Sequence, residues 1–303
     1  MAFAAFGSNA PTTKGQTKSG RVVLALLLPG LLYLALFFAI PLVSLVLTSL
    51  QEPDGSGAIG KYQQGLNFGN YVETVAKYLP QIGRSFGYAL VATIVALLIS
   101  YPLAYYIGVK LRGRPMLQRM MVTLVIAPFF ISFLLRTIAW KQLLADNTPL
   151  MEWAHSVGLL APSESFIGSD YAVIFGLVYN FIPFMTLPLY TTLERLDVRF
   201  LEAGSDLYAS PTRVFRKVTL PLSMPGVISG TLLTFIPIAG DYVNASKEFL
   251  GSSSTSMIGT VVDSDFLQTR NYPAASAMSV VLMGLILILV TAYVRRSGTE
   301  DLL

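Results

Sequence analysis

Long apolar runs separated by shorter polar stretches dominate the chain. The runs cover roughly residues 22–47, 86–109, 120–143, 171–193, 226–243 and 274–293. Runs of about 20 apolar residues are long enough to cross the hydrocarbon of a bilayer as helices. The pattern therefore predicts an all-α integral membrane protein with six transmembrane helices. Proline lacks an N–H and clashes with the preceding turn. Pro29 and Pro41 are thus expected to bend the first span, Pro128 lies in the third, and Pro183 and Pro188 are expected to break the fourth. Residues 1–20 are rich in Gly, Ser, Thr and Lys without apolar periodicity and predict a disordered tail. The first run far exceeds the apolar core of a signal peptide, and no small-x-small cleavage site follows it. Residues 51–81, 145–170 and 244–273 read as loops on one side of the membrane.

The stretch 202–221, EAGSDLYASPTRVFRKVTLP, is a long run rich in charges in an otherwise apolar second half. Its grammar is two short helices. Asp197 can cap the first, with Phe200, Leu201, Ala203 and Leu207 as its apolar positions. Ser210 followed by Pro211 is a helix start. Arg213, Arg216 and Lys217 suit the C-terminal half of the second helix, and Pro221 is expected to stop it. Such a pair beside a membrane either receives a soluble partner or lies on lipid headgroups, and the pattern alone leaves both open.

Composition narrows the classes. Of the 303 residues, 53% are hydrophobic and 13% charged, which soluble domains do not show. There is no cysteine and one histidine, so neither disulfides nor a metal site with recognisable ligand spacing is expected. The basic residues sit in short segments between spans, which argues against a nucleic-acid reader. Residues 1–21, the loop 110–119, the stretch 195–217 and residues 295–296 at the end of the last span hold 14 of the 21 Lys and Arg. By the positive-inside rule those segments and both termini are cytosolic. No Gly-x-x-x-x-Gly-Lys-Ser/Thr occurs, so the chain itself does not cradle ATP phosphates. No repeat relates the two halves, as paired broken helices would in an inverted-repeat secondary transporter. A membrane-embedded enzyme would need clustered His, Asp, Glu or Ser at catalytic spacing, and none is seen.

Ionisable groups at membrane depth are functional candidates. Arg136, near the outer end of the third span, is either an electrostatic gate or pairing group on a pathway, or an arginine reaching outer headgroups beside Trp140. Asp241 and Tyr242 follow Pro237 and Gly240 at the outer end of the fifth span. The carboxylate could meet a cationic substrate, pair with Arg136, or be solvated at the interface. Tyr179 and Asn180 put hydrogen-bonding groups near mid-membrane, as contacts between helices or with substrate.

The 202–221 stretch resembles the EAA loop of ABC-importer permeases: Glu-Ala-Ala, three residues, Gly, nine residues, Ile, one residue, Leu-Pro. Glu202, Ala203, Val218, Leu220 and Pro221 fall in register. Gly204 replaces the second alanine, Tyr208 the glycine and Val218 the isoleucine. The family glycine sits at the turn between the helices, so a tyrosine there needs an unstrained backbone. The strings RTIAW (136–140), DNTPL (146–150), YNFIPFMTLPLY (179–190), LPLSMPGVISG (220–230) and GDYV (240–243) are similar to the spermidine/putrescine branch of these permeases.

The resemblance implies a type I importer permease core over 84–294, preceded by the tail (1–20) and by a first helix with an external segment (21–83), and followed by a cytosolic tail (295–303). It implies a non-enzymatic subunit of the bacterial inner membrane, importing a polyamine or, in related branches, ferric iron, thiamine or sulfate. The implied partners are two copies of an ATPase that binds the ATP, a second related permease and an external substrate-binding protein. The implied coupling residues are Glu202, Ala203, Gly204, Asp206, Tyr208, Val218, Leu220 and Pro221. No cofactor is implied for this chain. A secondary transporter is the rival from a different class.

Overall fold

A computed structural model describes residues 20–161 and 164–296. The expected tail 1–20 lies, apart from Gly20, outside the described residues, as does the end of the chain from 297. The chain divides into two compact units, 1–47 and 48–303.

In the first unit, α1 (Gly20–Leu34) runs through a π-helical turn (Ala35–Ala39) into α2 (Ile40–Ser49). Pro29 is carried inside α1, so it does not end the helix. The widened turn immediately precedes Ile40-Pro41, and the Ile40 N–H reaches Ala35 O. Widening relieves the clash between a proline ring and the carbonyl four residues back. The large apolar side chains from Val23 onward are exposed, as lipid-facing side chains would be.

The second unit opens with a small hairpin, β1 (Glu52–Pro53) antiparallel to β2 (Tyr62–Gln63). The loop expected over 51–81 ends early, because α3 (Gly69–Tyr105) starts within it. Tyr78 leaves helical geometry (φ −109°, ψ 18°) two residues before Pro80, so the added length is a kinked extension of the second span. Asn70 Nδ2 ties that extension back to Ser49 O and Gln51 O, both at 2.9 Å.

The third span is broken. α4 (Pro115–Ile126) passes through a 3₁₀ turn (Ala127–Phe130) and two extended residues to α5 (Phe133–Leu143), with a 93° bend. Pro128 accounts for the loss of the ladder. α6 (Pro149–Ser156), capped by Thr148, occupies part of the loop expected over 145–170. α7 (Asp170–Arg195) is uninterrupted, contrary to the expected breaks at Pro183 and Pro188. Hydroxyls accompany those prolines: Thr186 donates to Ile182 O, and Thr191 and Thr192 donate to Pro188 O. Arg112, read from the sequence only as a topology signal, closes the end of α7. Its Nη2 donates to Leu193 O and Glu194 O at 2.6 and 2.8 Å, a cation on the terminal carbonyls.

α8 (Val198–Asp206), α9 (Pro211–Val214) and α10 (Leu220–Leu222) form the charged stretch, and α11 (Met224–Ala239) leaves it at a 62° bend. The expected loop 244–273 contains α12 (Ile258–Leu267), and α13 (Tyr272–Arg296) ends the described chain. Among the described residues, four helices are long and apolar enough to cross a membrane, or up to six if each bent pair counts as one span.

The core lies where α3, α7 and α11 meet. Ala89, Ala92, Ala96 and Ala104 make a small-residue face on α3 against Leu177, Met185, Leu189 and Leu193 of α7. Small residues let helix backbones approach closely where lipid provides no hydrophobic drive. Gly226 on α11 is one such point: a Cβ there would lie 2.9 Å from Pro188 O. Thr186 adds a buried hydrogen bond to Ser100 Oγ at 2.9 Å. The broken spans, the continuous α7 and the bent α11 bring two polar features to opposite ends of this core.

Candidate functional site

At one end, the residues 197–223 form a projecting pair of helices. Arg199 N donates to Asp197 Oδ1 at 2.9 Å, the cap expected from the sequence. Glu202, Ala203 and Asp206 are exposed on α8. Gly204 lies against Val214 of α9, where an alanine Cβ would stand 3.0 Å from Val214 Cγ2. The residue that departs from the expected alanine is thus the point where the two helices touch.

Tyr208 at the turn has φ +54°, and its side chain is 98% exposed. The unstrained backbone that a tyrosine requires is absent, since the left-handed region is costly for a residue with a Cβ. Full exposure means no buried contact of Tyr208 offsets that cost. Ser210 precedes Pro211 as expected but makes no side-chain cap bond; its carbonyl accepts from Arg213 N at 2.8 Å.

Pro221 does not stop the second helix. A π turn (Phe215–Thr219) widens the backbone before Leu220-Pro221, as before Pro41, and the helix continues to Leu222. The direction changes at Ser223, whose Oγ donates to Leu220 O at 3.0 Å and lies 2.7 Å from Tyr101 Oη. Phe215 packs edge-on against Tyr101 and Tyr105, with centroids 5.6 and 6.2 Å apart. The projecting helices are thereby fastened to the end of α3. Sequence reasoning missed Phe215, Ser223, Tyr101 and Tyr105; the one available signal was an aromatic amid the basic residues of a helix expected to be solvated. Val218 and Leu220 are half-buried and Pro221 is exposed.

At the other end, a buried polar network joins α5, α7 and the turn after α11. Asn180 Nδ2 donates to Thr137 Oγ1 and to Asn244 Oδ1, both at 3.2 Å. Asn244 N donates to Asp241 Oδ1 at 2.8 Å, and Asn244 Nδ2 donates to Asp241 Oδ2 at 3.1 Å. Asp241 is 6% exposed, which removes the reading of a carboxylate solvated at an interface. Asn180 links helices, whereas the neighbouring Tyr179 stays outside the network in an aromatic group with Trp140 and Phe175. Tyr242, half exposed, points into cavities beside α12. Thr137 and Asn244 were missed because neither is ionisable and Asn244 falls in an expected loop.

Arg136 is 7% exposed, so it does not reach out to headgroups. Its Cζ lies 5.8 Å from the Phe133 ring centroid. Its Nε and Nη1 have no hydrogen-bond partner among the described residues. A pairing with Asp241, one of the alternatives the sequence left open, is therefore not made through either nitrogen, and Asn244 takes both carboxylate oxygens instead. The break between α4 and α5 turns Arg136 inward. Among the described residues no group of three or more His, Cys, Asp or Glu is placed to hold a metal.

The family model described as "Binding-protein-dependent transport system inner membrane component" matches residues 96–297. The chain is 34% identical over 264 residues, 87% of its length, to the spermidine/putrescine transport system permease protein PotB of Haemophilus influenzae, 90% of which is covered. It is 32% identical to the PotB of Escherichia coli, with 84% of this chain and 92% of the relative covered. Among solved structures, a bacterial alginate ABC transporter in complex with an alginate pentasaccharide-bound periplasmic protein superposes with a TM-score of 0.66 at 15% identity, covering 92% of this chain and 94% of that one. The inward-facing MetNI methionine ABC transporter superposes with a TM-score of 0.56 at 18% identity, covering 73% and 94%. At those identities the likeness is one of fold.

Proposed function

The chain belongs to the family of binding-protein-dependent transport system inner membrane components, and from that membership we propose that it conducts a polyamine, spermidine or putrescine, through an ATP-driven importer. It is a membrane-spanning permease subunit of an ABC importer. The observation that carries the substrate class is the 34% identity to a spermidine/putrescine permease, maintained over 87% of this chain. The buried Asp241 supports it, since a route for a multiply charged cation needs carboxylates or ring faces to offset the loss of hydration.

In the mechanism that fits this reading, one of two ATPase subunits docks on the helices 198–222, with Glu202 and Asp206 on the docking face. The rigid joint at Phe215 and Ser223 carries ATPase closure into α3 and α11, and the spans reorient between outward and inward access. A second, related permease completes the pore, and an external binding protein delivers the cation at the Asp241 end. Both termini lie in the cytosol, a reading supported by the basic residues in 110–119 and 195–217. Uptake by cells lacking their own polyamine importers tests the proposal. Labelled spermidine accumulates, and unlabelled putrescine competes while thiamine, sulfate and ferric ion do not. Competition by any of the last three, or uptake that survives ATP depletion, overturns it.

A further inference from the structure

A cavity of about 420 Å³ lies between the N-terminal part of α3, the turn after α11 and α12, at the end of the bundle away from α8–α10. Tyr78, Gln81, Tyr242, Asp263 and Asp265 line it. Asp265 is 6% exposed. Its Oδ1 accepts from Tyr78 Oη and from Thr269 Oγ1, each at 3.3 Å. Its Oδ2 has no partner among the described residues, and the buried Gln81 Oε1 has none either. A buried acceptor without a donor is costly, and more so on a carboxylate. Two such acceptors on one polar cavity call for a ligand that brings N–H donors and positive charge.

Two lysines are near. Lys247 lines the same cavity, opposed by Glu248 on its own segment. Lys77 lines the neighbouring cavity with Asp265, but its Nζ is placed over the Tyr78 ring at 4.6 Å. Asp263, Asp265 and Glu248 outnumber Lys247 around the cavity, which disfavours an anion. We infer that this cavity receives a primary ammonium group of a small aliphatic diamine or polyamine. Asp265 Oδ2 and Gln81 Oε1 accept its N–H bonds, and the ring of Tyr242 offers a face to the charge. The site is separate from the Asp241 network, whose carboxylate is already bonded on both oxygens by Asn244. The choice of a polyamine among ammonium ligands rests on the proposed function.

The native chain has no cysteine, so Ser253→Cys, on the exposed rim of this cavity, gives a single reporter thiol in this subunit, whose alkylation is read on its own band of the assembled importer. Putrescine at about ten times its dissociation constant should slow alkylation of that thiol roughly tenfold. Butane-1,4-diol, which has the same length without the charge, and sodium chloride at matched ionic strength should not. Adding Asp265→Asn should raise the putrescine concentration needed by about tenfold or more through loss of a charge-assisted bond, and leave the unprotected rate unchanged. Gln81→Glu should lower that concentration. Protection that is the same in Asp265→Asn as in the parent, or equal protection by sodium chloride, overturns the inference. So does a Lys77→Met variant that reproduces the Asp265→Asn loss, because Asp265 would then act only as the partner of Lys77. Spermidine uptake by the same Ser253→Cys importer fails if the polyamine reading is wrong, whether or not putrescine protects the thiol.

Discussion

Asn244→Ala is the sharpest probe of the buried network. Asn244 is fully buried and makes three of its bonds: backbone and side-chain donors to Asp241, and an acceptor for Asn180. The substitution keeps the backbone bond to Asp241 Oδ1 and removes the other two. Loss of the charge-assisted bond to Oδ2 costs about 1.5–3 kcal/mol. Loss of the Asn180 contact costs about 0.6 kcal/mol, the average for hydrogen bonds between membrane helices. Together these come to about 2–3.5 kcal/mol, or roughly 5–10 °C in Tm for a protein of this size. Thr137→Val removes the Asn180–Thr137 bond, and should lower Tm by about 1–2 °C. Thermal unfolding of the purified subunit in detergent, followed by tryptophan fluorescence, reads both. A Tm for Asn244→Ala within about 1 °C of the parent would show that Asp241 does not depend on Asn244, and the network would lose its structural meaning.

Glu202→Lys should abolish coupled uptake and leave the subunit in the membrane, because a docking carboxylate becomes a repelling charge; normal uptake with normal ATPase association removes the docking role. Tyr208→Gly should raise stability by about 0.5–1 kcal/mol, since glycine adopts a positive φ freely and no buried contact is lost; a lower Tm would reveal a contact that exposure does not show. Single cysteines at Met116 and Thr212 should react with membrane-impermeant maleimide only from the cytosol, and those at Ser56 and Ser253 only from outside, with reversal at Thr212 overturning the orientation. Asp241→Asn should reduce cation uptake about tenfold or more, a loss equivalent to one charge contact, and should also lower Tm, since its amide N–H would face a donor of Asn244; unchanged uptake eliminates its place on the path.

The apolar runs made the spanning helices legible, because length and hydrophobicity answer to one constraint, the thickness of the hydrocarbon. The EAA-like spacing made the projecting helices legible too, including the Asp197 cap. What prolines do was less so. Pro183 and Pro188 sit within a helix whose backbone is held by packing and by Thr186, Thr191 and Thr192, whereas Pro128 breaks one; local sequence does not separate those cases. Pro41 and Pro221 are absorbed by π turns, which leave no mark in periodicity. The sequence could not choose between the two readings of Arg136 because its direction depends on the 93° bend, a tertiary feature. The partners of Asp241 were out of reach for a related reason. Asn180 and Asn244 are 64 residues apart and meet only when α7 and α11 pack. α12 was hidden in an expected loop, since ten residues with two aspartates carry a weak helical pattern beside spans of 25 residues.

The central claim is that this subunit moves a polyamine by harnessing a partner's ATP hydrolysis through the helices 198–222. Spermidine accumulation in proteoliposomes tests it most directly, with the complete importer reconstituted, binding protein outside and ATP trapped within. The account predicts accumulation that requires ATP and the binding protein, disappears in Glu202→Lys, and is inhibited by putrescine. Accumulation driven equally well by an ion gradient without ATP, or undiminished in Glu202→Lys, would contradict it.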